Sequence, residues 1–130
     1  MGMPAAKQGD KIVGIDIHIV MIPSPTGQVP TPLPHPFNGT IDSNLSQNVK
    51  IMGKPAATKD SKATNTPMHI PQGGQFQKQP SNKATIFIGS PTVKINGKMA
   101  ARSGDVALTC NDPTDLPSGT VVATGTVYIG

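Results

Sequence analysis

Two segments of the chain, VKIMGK at Val49–Lys54 and VKINGK at Val93–Lys98, alternate apolar and polar residues and then turn at Met52–Gly53 and Asn96–Gly97. Alternation of period two puts the apolar residues on one face of a strand, and Asn-Gly between two such runs is the strongest short signal for a β-hairpin. A third run, IDIHIV at Ile15–Val20, sets His18 among β-branched residues that favour strands. Gly9–Asp10 and Gly104–Asp105 mark further turns. Helices have almost no room. Gly and Pro supply 14 residues each, the longest stretch free of both is Thr40–Met52, and the chain has no Glu. The pattern predicts an all-β protein.

The alternating segments belong to a repeat. SQNVKIMGKPAA (Ser46–Ala57) aligns without gaps on SPTVKINGKMAA (Ser90–Ala101), with eight of twelve residues identical. Pro4–Ala6 supplies another copy of the closing Pro-Ala-Ala, without the strand that precedes it. GTID (Gly39–Asp42), ATIFIG (Ala84–Gly89) and GTVYIG (Gly125–Gly130) echo one another as unit ends. The chain therefore divides into units near 4–45, 46–89 and 90–130 of one domain spanning 1–130. Three β units in one small chain suggest a pseudo-threefold object wound about an axis, which fits better than a solenoid without capping sequences.

Composition makes such an object hard to hold together. With 130 residues, no Trp, one Tyr and three Phe, the side chains that usually dominate core energetics are nearly missing. The net charge of +4 comes from eleven Lys and Arg scattered singly against seven Asp. No basic run has the density of a nucleic-acid tail, and 3% aromatic residues leave few stacking platforms, so nucleic-acid binding is not expected. Single lysines fit strand edges protected against aggregation. One cysteine, Cys110, excludes an intrachain disulfide framework. No apolar run approaches a membrane-spanning helix, and MGMPAAKQGD lacks the apolar core of a signal peptide. Synthesis and assembly in the cytoplasm are expected, with any export left to another machine.

The repeat acts as a ruler for the metal-ligating residue types. His18 lies fourteen residues after Pro4, and His69 fourteen after Pro55. Cys110 falls eleven after Met99, a near-equivalent place on a shorter third arm. Equivalent positions converge around a pseudo-threefold axis. His35 is out of phase, in the proline-rich stretch PSPTGQVPTPLPHPFNG, expected to be an extended loop that folds across the same axis as a cap. Three histidines and one cysteine suit Zn²⁺, with iron as the alternative, and four protein ligands make a closed, structural site without an open position for water. A metal also offsets the weak core, because its binding free energy becomes folding free energy.

PAAKQGD, PAATKDS and MAARSGD, with the lead-in GSPTVKINGK (Gly89–Lys98), resemble the repeats of the PAAR family across essentially the whole chain. The resemblance implies a small cone of three antiparallel β-sheet faces with a metal near its apex, held by His18, His35, His69 and Cys110. It also implies a role as the spike tip of a contractile injection machine: a type VI secretion system, an extracellular injection particle or a phage tail. The partner would be a trimeric, VgrG-like β-helical spike, at one monomer per trimer, which the tip sharpens for puncturing a target membrane. Strands such as TIFIG and TVYIG would lie at the base and extend the partner's β-structure. Two departures stand out. Unit two has Thr58-Lys59-Asp60 where Arg-x-Gly is expected, and unit one has Lys7 for Arg. Nothing is left over for a toxin domain, so a bare tip delivered outside the cell with its particle is expected.

The rival reading is a small metal-dependent or cysteine hydrolase using Cys110 with a histidine. It would need an open metal position or an activated thiol with a general base, and the Asp residues sit mainly at predicted turns. No catalytic residue is therefore assigned, and the protein is expected not to be an enzyme.

Overall fold

The computed structural model describes residues 2–130. Its strands are β1 (Met3–Pro4), β2 (Lys11–Ser24), β3 (Gly27–Ser43), β4 (Lys50–Ile51), β5 (Lys54–Pro55) and β6 (Lys62–Asn65). They continue with β7 (Gln75–Phe76), β8 (Lys83–Ile86), β9 (Lys94–Ile95) and β10 (Lys98–Met99). The last are β11 (Val106–Thr109), β12 (Leu116–Val122) and β13 (Tyr128–Ile129). The described residues contain no helix.

Six strands close on themselves in the order β2-β3-β6-β8-β11-β12, every neighbour antiparallel, with β12 returning to β2. The pairs β2–β3, β6–β8 and β11–β12 form three faces about one axis. Closure is tight where Gly14 lies opposite Gly119: a Cβ on Gly14 would stand 2.5 Å from the Ser118 carbonyl oxygen. At one end of this ring sit three two-stranded ribbons, β4–β5, β9–β10 and β13–β1. The turns of the first two have both central residues at positive φ, Met52 and Gly53 in one, Asn96 and Gly97 in the other, as the tightest hairpins require.

The recurrence of Ala-Ala now has a physical reason. Ala6 N–H donates to the Ala101 carbonyl, Ala101 N–H to Ala57, and Ala57 N–H to Ala6, at 2.9–3.0 Å, a closed triangle of backbone hydrogen bonds around the axis. All three alanines are fully buried. Above them lie Ile12, Ile41, Ala63, Ile86, Ala107 and Val121, and below them Ala5, Ala56 and Ala100 pack with Ile51, Ile95 and Ile129. Chain crossings this close leave space only for a methyl group, so a weak core of small residues is what the topology demands.

The hydrogen-bond pattern corrects one repeat boundary. Ile41 N–H bonds the Asp10 carbonyl, Ile86 bonds Ser61 and Val121 bonds Asp105, so GTID and ATIF correspond to GTVV at Gly119–Val122 rather than to GTVYIG. GTVYIG instead supplies, through β13, the lead-in strand that the first Pro-Ala-Ala copy lacks, with Met3 opposite Ile129 and Pro4 opposite Tyr128. Of the expected base strand TIFIG, only Thr85 and Ile86 lie in a strand, β8. It is paired on both sides, by β6 and β11, and has no free edge to offer.

The altered turn of unit two survives by substitution. In units one and three the Asp10 and Asp105 carboxylates accept the N–H of Lys7 and Arg102 at 3.0 and 2.8 Å and also meet their side chains. In unit two Ser61 Oγ accepts the Thr58 N–H at 2.9 Å and donates to the Asn44 carbonyl at 2.7 Å. Asp60 takes the left-handed position, φ 77°, that Gly9 and Gly104 hold elsewhere. Ser61 is fully buried, so Ser61→Ala orphans both partners and is expected to cost roughly 1–3 kcal/mol in urea denaturation.

The proline-rich stretch is not a loop across the axis. It is most of β3, paired with β2 over fourteen residues from Lys11↔Thr40 to Ser24↔Gly27. Ile17 and Ile19 donate away from β3, to Asn111 Oδ1 and Asp112 Oδ2 at 2.7 and 2.9 Å. Their partners Pro34 and Pro32 therefore stand at non-hydrogen-bonded positions, and so by alternation do Pro30 and Pro36. The missing N–H groups fall on the outer edge, where they cost the ladder nothing and protect an open edge from further pairing.

Candidate metal centre

The strands leave the alanine triangle and bring their ligand-type residues together at the far end of the ring. Asp16 and His18 lie on the inner face of β2, two residues apart. His35 faces the same interior from β3, directly opposite Asp16 in the ladder. His69 follows β6 after a short loop pinned by Asn82, whose Oδ1 accepts the His69 N–H at 2.9 Å and an Asn65 amide hydrogen at 3.1 Å. Cys110 follows β11 immediately, because Asn111 and Asp112 then occupy the outward N–H groups of β2. That use of the β2 edge explains why the third arm is shorter.

Ligand atoms of Asp16, His18, His69 and Cys110 all lie within 4.8 Å of one another, and all four residues are buried. Cys110 Sγ is 3.7 Å from His18 Nε2 and 3.3 Å from Asp16 Oδ2. His69 Nε2 is 2.8 Å from the same Asp16 oxygen. Asn65 Nδ2 can only donate, and it sits 3.3 Å from His69 Nδ1, so this network places the ring proton on Nε2, donating to Asp16. His35 stacks its ring 5.4 Å from His18 and 5.3 Å from His69. Both of its ring nitrogens, and Nδ1 of His18, are buried with no hydrogen-bond partner among the described residues. Phe76 on β7 covers the outside, its ring 5.8 Å from His18 and 5.4 Å from His35.

Of the residues singled out from the sequence, His18, His69 and Cys110 are thus brought into one group and His35 is packed against its two histidines. Asp16 was missed. It is a fully buried strand residue and not a turn residue, and its period-two spacing from His18 was the signal that could have found it.

The electrostatics suit a bound cation better than free side chains. Burial pushes the His18 imidazole below the ordinary histidine range, with His69 and His35 acting the same way against Asp112 and Asp16. Burial, then the nearby Asp16 carboxylate, pushes the Cys110 thiol up to about 12. A thiol held protonated is a poor nucleophile, which speaks against the cysteine-hydrolase reading. Orphaned buried nitrogens beside a thiol and a carboxylate fit a borderline-soft cation such as Zn²⁺. Because Cys110 must lose its proton to bind, zinc loading near pH 7 is expected to release about one proton per chain. An indicator dye in weak buffer reads that release, and Cys110→Ala should abolish it.

A family model described as the PAAR motif matches residues 22–114 of the 130-residue chain. No curated protein matches it.

Proposed function

The chain belongs to the PAAR-motif family, a structural spike-tip family of contractile injection systems associated with VgrG-like spike proteins, and from that premise we propose that it caps a trimeric spike as a metal-stabilised point. The single observation that carries this is the ring of three equivalent ribbons, closed by pairing the two chain ends. A monomer with that pseudo-symmetry meets a threefold partner through three similar contacts, at one monomer per trimer. Val49, Val93 and Val127 lead equivalent strands, and their neighbours Lys50, Lys94 and Tyr128 are exposed on this end.

The metal is zinc, with iron as the alternative, and its ligands are His18, His35, His69 and Cys110. The unpartnered buried nitrogens of His35 favour it as the fourth ligand over Asp16, which is left to accept a hydrogen bond from His69. A metal so held cross-links β2, β3 and the ends of the β6 and β11 arms without any chemistry of its own. Asp16, accepting from His69 Nε2, orients that ring and leaves Nδ1 as the nitrogen that would bind the metal in place of the Asn65 contact, and Phe76 limits access by water. The thrust then falls on a small, braced end while the ribbon end stays on the spike, and the protein is assembled in the cytoplasm and leaves with its particle.

Co-purification with a trimeric spike from the same source tests the reading, with one chain per trimer expected. Tyr128→Asp combined with Val93→Asp should reduce capture at least about tenfold. A properly folded protein that binds no spike trimer overturns it.

A further inference from the structure

The eighteen charged residues avoid one part of the molecule. From Ile17 to Ile41, twenty-five residues, there is no Asp, Glu, Lys or Arg, and from Ala63 to Gln77, fifteen residues, there is none either. The fold brings these two stretches together at the end opposite the ribbons: Thr66 N–H bonds the Asn38 carbonyl, and His35, Pro36, Met68 and Ile70 line one groove of about 340 Å³. The β2–β3 hairpin continues six pairs past His18↔Leu33, from Ile19↔Pro32 to Ser24↔Gly27, with only β7 paired alongside among the described residues.

This hairpin has two unlike faces. The inner one carries Asp16, His18, His35 and Phe37 and is buried. The outer one sets Ile15, Ile17, Ile19 and Met21 against Pro36, Pro34, Pro32 and Pro30. Ile15 is 55% exposed, all four prolines are exposed, and nearby Met68 and Ile70 are 67% and 70% exposed. Soluble surfaces seldom leave so much contiguous apolar area in water. The open edge of β3 is equally unusual, since its four outward prolines remove four N–H donors. A strand-adding protein partner needs those donors. A hydrocarbon phase penalises them, because each buried donor without a partner is costly there.

We propose that the outer face of the β2–β3 hairpin, with Met68 and Ile70 beside it, is a lipid-contacting surface that seats in the acyl-chain boundary of a bilayer. Uncharged residues match the acyl region. The inference rests on the spike-tip reading and names the surface that first meets the target.

The test is flotation of the zinc-loaded full chain with vesicles of phosphatidylcholine alone and of phosphatidylethanolamine with phosphatidylglycerol. Wild type is expected to float with both and to stay bound in high salt. Ile15→Asp combined with Ile17→Asp should lower the bound fraction roughly tenfold or more, with metal content and circular dichroism unchanged because both side chains face outward. Met68→Asp with Ile70→Asp, in a separate loop, should do the same if the first pair perturbs folding. No flotation, flotation indifferent to both pairs, or release by salt alone overturns the proposal. So does a wild-type dimer that the Asp variants dissolve, since a second copy would then cover the face. Spike capture by the same variants separates the two claims: intact capture without flotation sinks only the lipid surface, whereas absent capture by wild type sinks the tip reading.

Discussion

Stripping zinc from the purified protein with a chelator is expected to lower its melting temperature by about 20 °C or more, and readdition should restore it. Structural zinc contributes on the order of 10 kcal/mol in small metal-dependent folds, and half of that, about 5 kcal/mol, shifts a domain of this size by roughly 20 °C. The reason lies in what the metal end contains. Asp16, His18, His35, His69 and Cys110 are all buried there, and without the ion the orphaned nitrogens of His18 and His35 keep their desolvation cost with no bond in return. The stripped protein should also be acid-sensitive. His18 has its folded pKa lowered below 6.5, so its neutral form is favoured by folding. That contribution is complete above pH 6.5 and is lost as pH falls through the lower folded value. Cys110 acts in the opposite sense: its contribution is complete below pH 9 and fades as pH rises toward about 12. Differential scanning calorimetry across pH checks both signs. The ligand set has its own check, since His35→Ala should lose bound zinc while Asp16→Asn retains it. The reverse result would put Asp16 in the coordination sphere.

Deleting Gly125–Gly130 should be nearly as damaging, although these six residues look like a dispensable tail. β13 is the missing strand of unit one. Its loss removes the strand partner of β1, the 2.8 Å bond from Ala5 N–H to the Val127 carbonyl, the Ser90 hydroxyl bond to Gly130, and Ile129 from the lower cluster. Ile129→Ala alone is expected to cost roughly 2–4 kcal/mol, as truncation of a buried isoleucine does when its neighbours cannot collapse. The deletion should exceed that and leave a chain that is unfolded or aggregation-prone, with Ala5, Ile51 and Ile95 uncovered. Urea unfolding of the point variant and the solution behaviour of the deletion measure the two effects. A deletion variant with unchanged stability would show that the ribbon ring is not closed through the chain ends.

Much of this was legible in the chain because repetition and alternation are local properties. Three Pro-Ala-Ala-like phrases and two VKI strands predict a pseudo-threefold β object, and the fourteen-residue offset to His18 and His69 predicts that they meet. What stayed hidden was decided by pairing between distant segments. β13 joins β1 across nearly the whole chain, and two similar phrases, GTVV and GTVYIG, differ in role only through the bonds they make. Ser61 replaces an aspartate in a turn because the pocket needs an acceptor, not a charge.

The same division holds for the candidate site. Residue types and phase, set down in the sequence, determined that three histidines and a cysteine were the available soft ligands. Only the tertiary structure decided that the proline-rich stretch is a strand, so that His35 stands opposite Asp16 and a carboxylate enters the same buried group. The physical reason is register. One residue of slip of β3 along β2 would turn His35 to solvent and the prolines inward, and that register is set by a closed ring of six strands, beyond what any local pattern can specify.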